Sequence, residues 1–105
     1  MSAVLYEVTL RVERAVADDY RDWLHAHARE MRALPGFLEA RLSQVSDPAP
    51  GDETVVFCCH YRLQDAAALE AYLREHAPRM RAEGVERFGA RFSAQRRVMV
   101  VLADY

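Results

Sequence analysis

Four histidines, two cysteines and an echoed pair of arginines carry most of the chemistry this chain could do. His27 and His76 hold matched places in two segments that both read L-x-x-H-A-x-x-M-R-A. One runs from Leu24 to Ala33 and the other from Leu73 to Ala82, an offset of 49 residues. Imidazole titrates near neutral pH, so such a pair could act as acid and base or touch a ligand at a pocket rim. The competing reading is packing, with each ring half-buried and hydrogen-bonded where a helix meets a sheet. Cys58 and His60 stand two residues apart and would share one face of a strand, about 6–7 Å from each other along the backbone. A Cys–His nucleophile needs hydrogen-bond reach and an orienting group. No orienting Asn or oxyanion turn is evident, so Cys58 reads as lining and His60 as lining or a polar contact for a ligand. Arg41 and Arg91 are each followed two residues later by a serine, Ser43 and Ser93. A guanidinium fork suits a carboxylate or phenolate. Pairing with Glu39 or Glu7, or bridging two copies of the chain, competes with that role. Glu30 or Cys59 could be offered as a third metal ligand, but no H-x-x-x-H or C-x-x-C spacing exists. Neither a metal nor a cofactor is expected.

The elements that must hold these residues follow from changes of period. Val4, Tyr6, Val8, Leu10 and Val12 alternate with mixed residues, which predicts a strand. Tyr20, Trp23, Leu24, His27, Met31 and Leu34 recur at helical spacing, and Pro35-Gly36 stops that helix. A second strand is predicted from Phe37 to Val45, with Leu38, Ala40 and Leu42 on one face and Phe37, Glu39, Arg41, Ser43 and Val45 on the other. The turn-rich run Asp47 to Asp52 leads to a third strand from Thr54 to Leu63. Asp65 is the expected N-cap of a second helix. Leu69, Tyr72, Leu73, His76 and Met80 form its apolar stripe, and Gly84 marks its end or exit. The last strand is expected from about Arg91 to Leu102.

That order, β-α-β-β-α-β, predicts a single ferredoxin-like α+β domain over residues 1–105. Its four-stranded antiparallel sheet would carry both helices on one face, with the first and third strands central. Cys58 and Cys59, being adjacent, would point to opposite faces and stay reduced. The uncovered sheet face is mixed, with Phe37, Val45, Val56, Met99 and Val101 among polar residues, which predicts a homodimer through that face. Tyr20, Trp23, Tyr72, Phe57, Tyr61, Phe88 and Phe92 give an aromatic-rich interior. Any cavity left between helices and sheet would suit a flat, largely apolar ligand.

The run Trp23 to Arg41, with His27, Glu30, Met31 and Leu34-Pro35-Gly36-Phe37, resembles the helix-turn-strand signature of the dimeric α/β-barrel superfamily. The whole chain, and Tyr72 to Met80 especially, is similar to the DUF4286 family of small bacterial proteins of unknown function. The superfamily resemblance implies a ligand held between sheet and helices or inside the barrel. It covers antibiotic-biosynthesis monooxygenases, EthD-like proteins, muconolactone isomerases and haem-degrading enzymes, as well as members without known activity. The expectation is thus an uncharacterised dimeric α/β-barrel protein that binds a small apolar or aromatic molecule. A cofactor-independent monooxygenase or isomerase is the alternative, and haem binding or degradation a more distant one.

Composition excludes other classes. Hydrophobic residues make up 51% of the chain and the formal net charge is −2, so no basic stripe offers a nucleic-acid footprint. No apolar run approaches the ~20 residues of a membrane span, and no signal-peptide pattern is visible. A cytoplasmic protein is the expectation.

Overall fold

The computed structural model describes residues 2–105. Strand β1 (Val4–Glu13) leads through a short 3-10 turn into helix α1 (Ala17–Arg32). Strands β2 (Phe37–Gln44) and β3 (Thr54–Leu63) follow, then helices α2 (Ala66–Glu75) and α3 (Ala77–Phe88), and finally strand β4 (Phe92–Val100). The strands form one antiparallel sheet in the order β2-β3-β1-β4, as the ferredoxin-like expectation requires. Alternation in β1 and β3 sets the core. Val4, Tyr6, Val8, Leu10 and Val12 point to the helices, as do Val55, Phe57, Cys59, Tyr61 and Leu63, and all are buried. Tyr20, Leu24 and Met31 of α1 and Leu69, Tyr72 and Met80 of α2 and α3 close over them. Asp65 caps α2 as expected, its carboxylate accepting the Ala68 N–H at 2.9 Å.

Several local expectations are corrected. Between Phe37 and Glu39 the β2–β3 register shifts by one residue. This bulge leaves Leu38 outside, 47% exposed, and turns Phe37 into the core against Tyr61 and Tyr72. Phe37 is therefore lost from the uncovered sheet face. The second helix is two helices. Pro78 offers no N–H and its ring collides with the carbonyl four residues back, so the chain breaks at His76 (φ −125°) and restarts as α3. The repeat is consequently unequal in space: Leu24 is buried, whereas its counterpart Leu73 is 38% exposed. Gly84 lies inside α3 rather than at its end, and a Cβ there would stand 3.1 Å from the Trp23 ring. The chain leaves α3 at Gly89, whose φ of +58° lies in the left-handed region. Arg91 falls in the following 3-10 turn, ahead of β4, and so is not a strand residue.

Gly36 makes the α1–β2 turn at φ +85°, and a Cβ there would lie 2.5 Å from that of Ala68. Its carbonyl also accepts the Gln64 N–H. Gly36→Ala should therefore destabilise the fold by about 2 kcal/mol, read as a lower midpoint in urea unfolding with unchanged slope.

Candidate functional site

Between α1, α3 and the sheet lies a cleft of about 380 Å³. Tyr6, Val8 and Leu10 of β1 with Cys59 and Tyr61 of β3 make its floor. Tyr20, Trp23, Leu24, His27 and Met31 of α1 form one wall, and Met80 and Gly84 of α3 the other. Tyr72 reaches it from α2, and the exposed residues Arg81, Val85, Ser93 and Arg96 line its mouth. Tyr20 stands at the centre of the aromatic cluster, with ring centroids 4.7 Å from Phe88, 5.1 Å from Phe92 and 5.4 Å from Trp23.

The polar groups inside are neutral. Burial raises the hydroxyls of Tyr20 and Tyr61 well above their ordinary value and that of Tyr72 to about 12. It likewise raises the Cys59 thiol to about 11. Trp23 stacks on the His27 ring at 4.7 Å between centroids, tilted by 21°. Burial lowers the pKa of His27, with a smaller opposing pull from Glu30. Its Nδ1 is buried without a hydrogen-bond partner. A buried orphan lone pair is better tolerated than a buried orphan N–H, so the favoured tautomer carries its proton on Nε2. Positive charge sits only at the mouth, on Arg81 and Arg96. Arg81 does not simply reach solvent, as a helix-end arginine would, but donates to the Tyr6 hydroxyl at 3.1 Å.

The structure thus sorts the sequence candidates. Trp23, His27 and Tyr72 meet at the cleft. His76 does not: it occupies the α2–α3 break and contacts the Arg79 guanidinium through Nδ1 at 3.2 Å on the exposed surface. Among the described residues no protein group hydrogen-bonds Nδ1 of His27. His60 and Arg41 lie on the opposite sheet face, directly paired across β2 and β3, with Leu5, Glu39, Ser43 and Arg62 around them. Arg91 is absent from the cleft lining. Among the described residues neither Arg41 nor Arg91 makes an ion pair, so pairing with Glu39 or Glu7 is not realised. Arg97 takes Glu7 instead.

That pairing builds a second polar centre, on the uncovered face. Among the described residues Glu7 is the buried charged one, 9% exposed. Arg97 donates to it from Nε at 2.7 Å and Nη2 at 3.2 Å, and His60 Nε2 donates at 2.8 Å. The Arg97 hydrogen bond, with His60 adding to it, holds the Glu7 carboxyl below its ordinary pKa despite burial. Cys58 Sγ stands 3.9 Å from the same His60 Nε2 and 3.8 Å from Thr9 Oγ1. Since Nε2 carries the proton given to Glu7, it cannot also take one from Cys58, and burial raises the thiol further. A Cys58–His60 nucleophile is thereby disfavoured. Arg81, Arg96 and Arg97 were not singled out in the sequence, where they look like ordinary solvated arginines. Register against β1 is the signal that would have found Arg97, which faces Glu7.

The His27 environment has a pH signature. Unfolded, this ring takes up a proton near its ordinary value of about 6.5, whereas the folded chain accepts it only at lower pH. The unfolded state binds more protons in that window, so stability falls as pH drops from about 6.5 toward the lower folded value. His27→Gln should flatten the decline of the urea midpoint between about pH 7 and pH 5.5. Equal declines in variant and parent would show that His27 is not held neutral.

Comparison with known proteins agrees with this fold. The chain resembles a conserved protein of unknown function from Bacteroides thetaiotaomicron, described as a possible oxidoreductase, with TM-score 0.72, 14% identity and coverage of 95% of this chain and 98% of that one. A dimeric ferredoxin-like protein from an uncultured marine organism matches over 100% of both chains, with TM-score 0.69 and 15% identity. A mutant of SnoaB, a cofactor-independent oxygenase from Streptomyces nogalater, matches with TM-score 0.70 and 16% identity over 99% of this chain and 97% of that one. At such identities the likeness is one of fold. No curated protein matches the chain. The family model for the domain of unknown function DUF4286 matches residues 3–102, nearly the whole chain, and the protein belongs to that family.

Proposed function

We propose that the cleft between α1, α3 and the sheet binds a small planar aromatic molecule carrying one anionic or strongly polar oxygen. The observation that carries this reading is the distribution of polarity: neutral phenols, thiol and imidazole within, and guanidinium groups of Arg81 and Arg96 at the mouth. An aromatic body would replace water against Tyr20, Trp23 and Leu24. A phenolate or carboxylate would stay near the mouth, where a cation is available and desolvation is small. The Nε2–H of His27 would donate to a carbonyl or hydroxyl deeper inside.

Trp23 is the sole tryptophan, so its fluorescence reports occupancy directly. Titration with hydroxynaphthalenes and hydroxynaphthoquinones should quench it saturably. His27→Ala should weaken binding by about tenfold, the loss of one hydrogen bond. A flat response across that series at submillimolar concentration rejects the reading. A hemin titration separates the haem alternative, because a bound haem would shift the Soret band. The oxygenase alternative rests on the neutral imidazole of His27, a base that could take a phenolic proton inside an apolar pocket. Ligand-dependent oxygen uptake by cofactor-free protein would support it.

We also infer that the protein pairs with a second copy through the uncovered sheet face, in the cytoplasm. Support comes from the dimeric ferredoxin-like neighbour. Leu5 and Met99, paired across β1 and β4, are only partly buried on that face, and the two cysteines are unbridged. Among the described residues no helix is long and apolar enough to cross a membrane. Light scattering at micromolar concentration should give twice the chain mass, and Arg41→Glu should shift the balance toward monomer. A monomeric parent would exclude the pairing.

A further inference from the structure

We propose that Glu7, Cys58 and His60 form a binding site for a thiophilic divalent metal ion of the zinc or cobalt kind on the sheet face opposite the cleft. One carboxylate oxygen, one thiol sulfur and one imidazole nitrogen here lie within 4.8 Å of one another. Two adjacent central strands supply them. Glu7 of β1 pairs with His60 of β3, and Thr9 of β1 pairs with Cys58 of β3. Strand placement fixes such a constellation better than a loop does.

The distances suit a tetrahedral ion. Bond lengths of about 2.0–2.1 Å to nitrogen or oxygen and about 2.3 Å to sulfur put neighbouring ligand atoms about 3.3–3.6 Å apart. His60 Nε2 and Glu7 Oε2 stand 2.8 Å apart, and His60 Nε2 and Cys58 Sγ 3.9 Å apart. The first must open by about half an ångström and the second close by less, both within small side-chain adjustments. The surroundings complete the arrangement. Arg97 Nε donates to Oε1 of Glu7, leaving Oε2 turned toward His60, so the guanidinium can stay as the group that orients the carboxylate. It would yield only its weaker contact to Oε2. The Thr9 hydroxyl lies where it can donate to a thiolate on Cys58. Binding would convert Cys58 to a thiolate with release of one proton and move the His60 proton from Nε2 to Nδ1, freeing Nε2 to bind the ion. Thiolate and carboxylate together balance a divalent charge. Water would take the fourth position, and all protein ligands come from one chain, so the site does not depend on pairing.

Cobalt(II) titration of the chelator-stripped full chain tests this. We expect one ion per chain and a thiolate-to-cobalt charge-transfer absorption in the near ultraviolet. Cys58→Ser should abolish that absorption, and His60→Ala should weaken binding by at least about tenfold. Cys59→Ala, which removes the thiol on the helix side of the strand, should leave it unchanged. No charge-transfer band at tenfold excess of cobalt, or a band that survives Cys58→Ser, would overturn the proposal. Cys58 is only half-buried, so its serine variant is expected to fold; far-ultraviolet circular dichroism on the same sample verifies this.

Discussion

The missing N–H of Pro78 governs the rest of this structure. A proline three positions after Glu75 cannot continue α2, so the segment that answers α1 in the repeat becomes two shorter helices. The first packs on β1 and β3, while the second packs mainly on its predecessor and on the turn before β4. α1 faces no such interruption and runs on for 16 residues. The asymmetry turns a duplicated βαβ pattern into a layer closed on one side and open on the other. The cleft is the open side.

Aromatic packing keeps that cleft from collapsing. Tyr20, Trp23, Phe88 and Phe92 wedge the ends of α1 and α3 against the sheet. Large planar rings fill area but tile poorly, and Gly84 is the residue that lets Trp23 lie against α3 at all. A protein interior normally reaches crystal-like density, whereas here the layer between α1, α3 and the sheet is left as a cleft open at its mouth. The buried, partnerless Nδ1 of His27 is a second departure in the same place. The two costs fall in the same cleft.

The other sheet face follows opposite rules. Its centre is a buried carboxylate, stabilised by a guanidinium and an imidazole rather than by apolar neighbours. Breaking such a cluster by removing one partner costs more than the cluster contributes, so its members are tied together in any variant. The two faces of β3 separate these environments residue by residue. Cys59 and Tyr61 look into the cleft, and Cys58 and His60 look away from it.

The order of elements, the central pairing of β1 with β3, the Asp65 cap and the opposed cysteines were legible in the chain, because each rests on period, capping chemistry or chain connectivity, which are local. The aromatic interior was legible for the same reason. What was not legible depends on contacts between distant segments. The bulge at Leu38 reversed Phe37, since register is set by the neighbouring strand. The echo of His27 in His76 failed because one proline outweighs five matched neighbours. Arg97 found Glu7 only through the β1–β4 register, 90 residues away along the chain. Sequence by itself determined which fold this chain adopts, since hydrophobic period is written residue by residue. Tertiary structure alone decided which of its polar groups meet, since that is settled by register and by the gap the broken helix leaves.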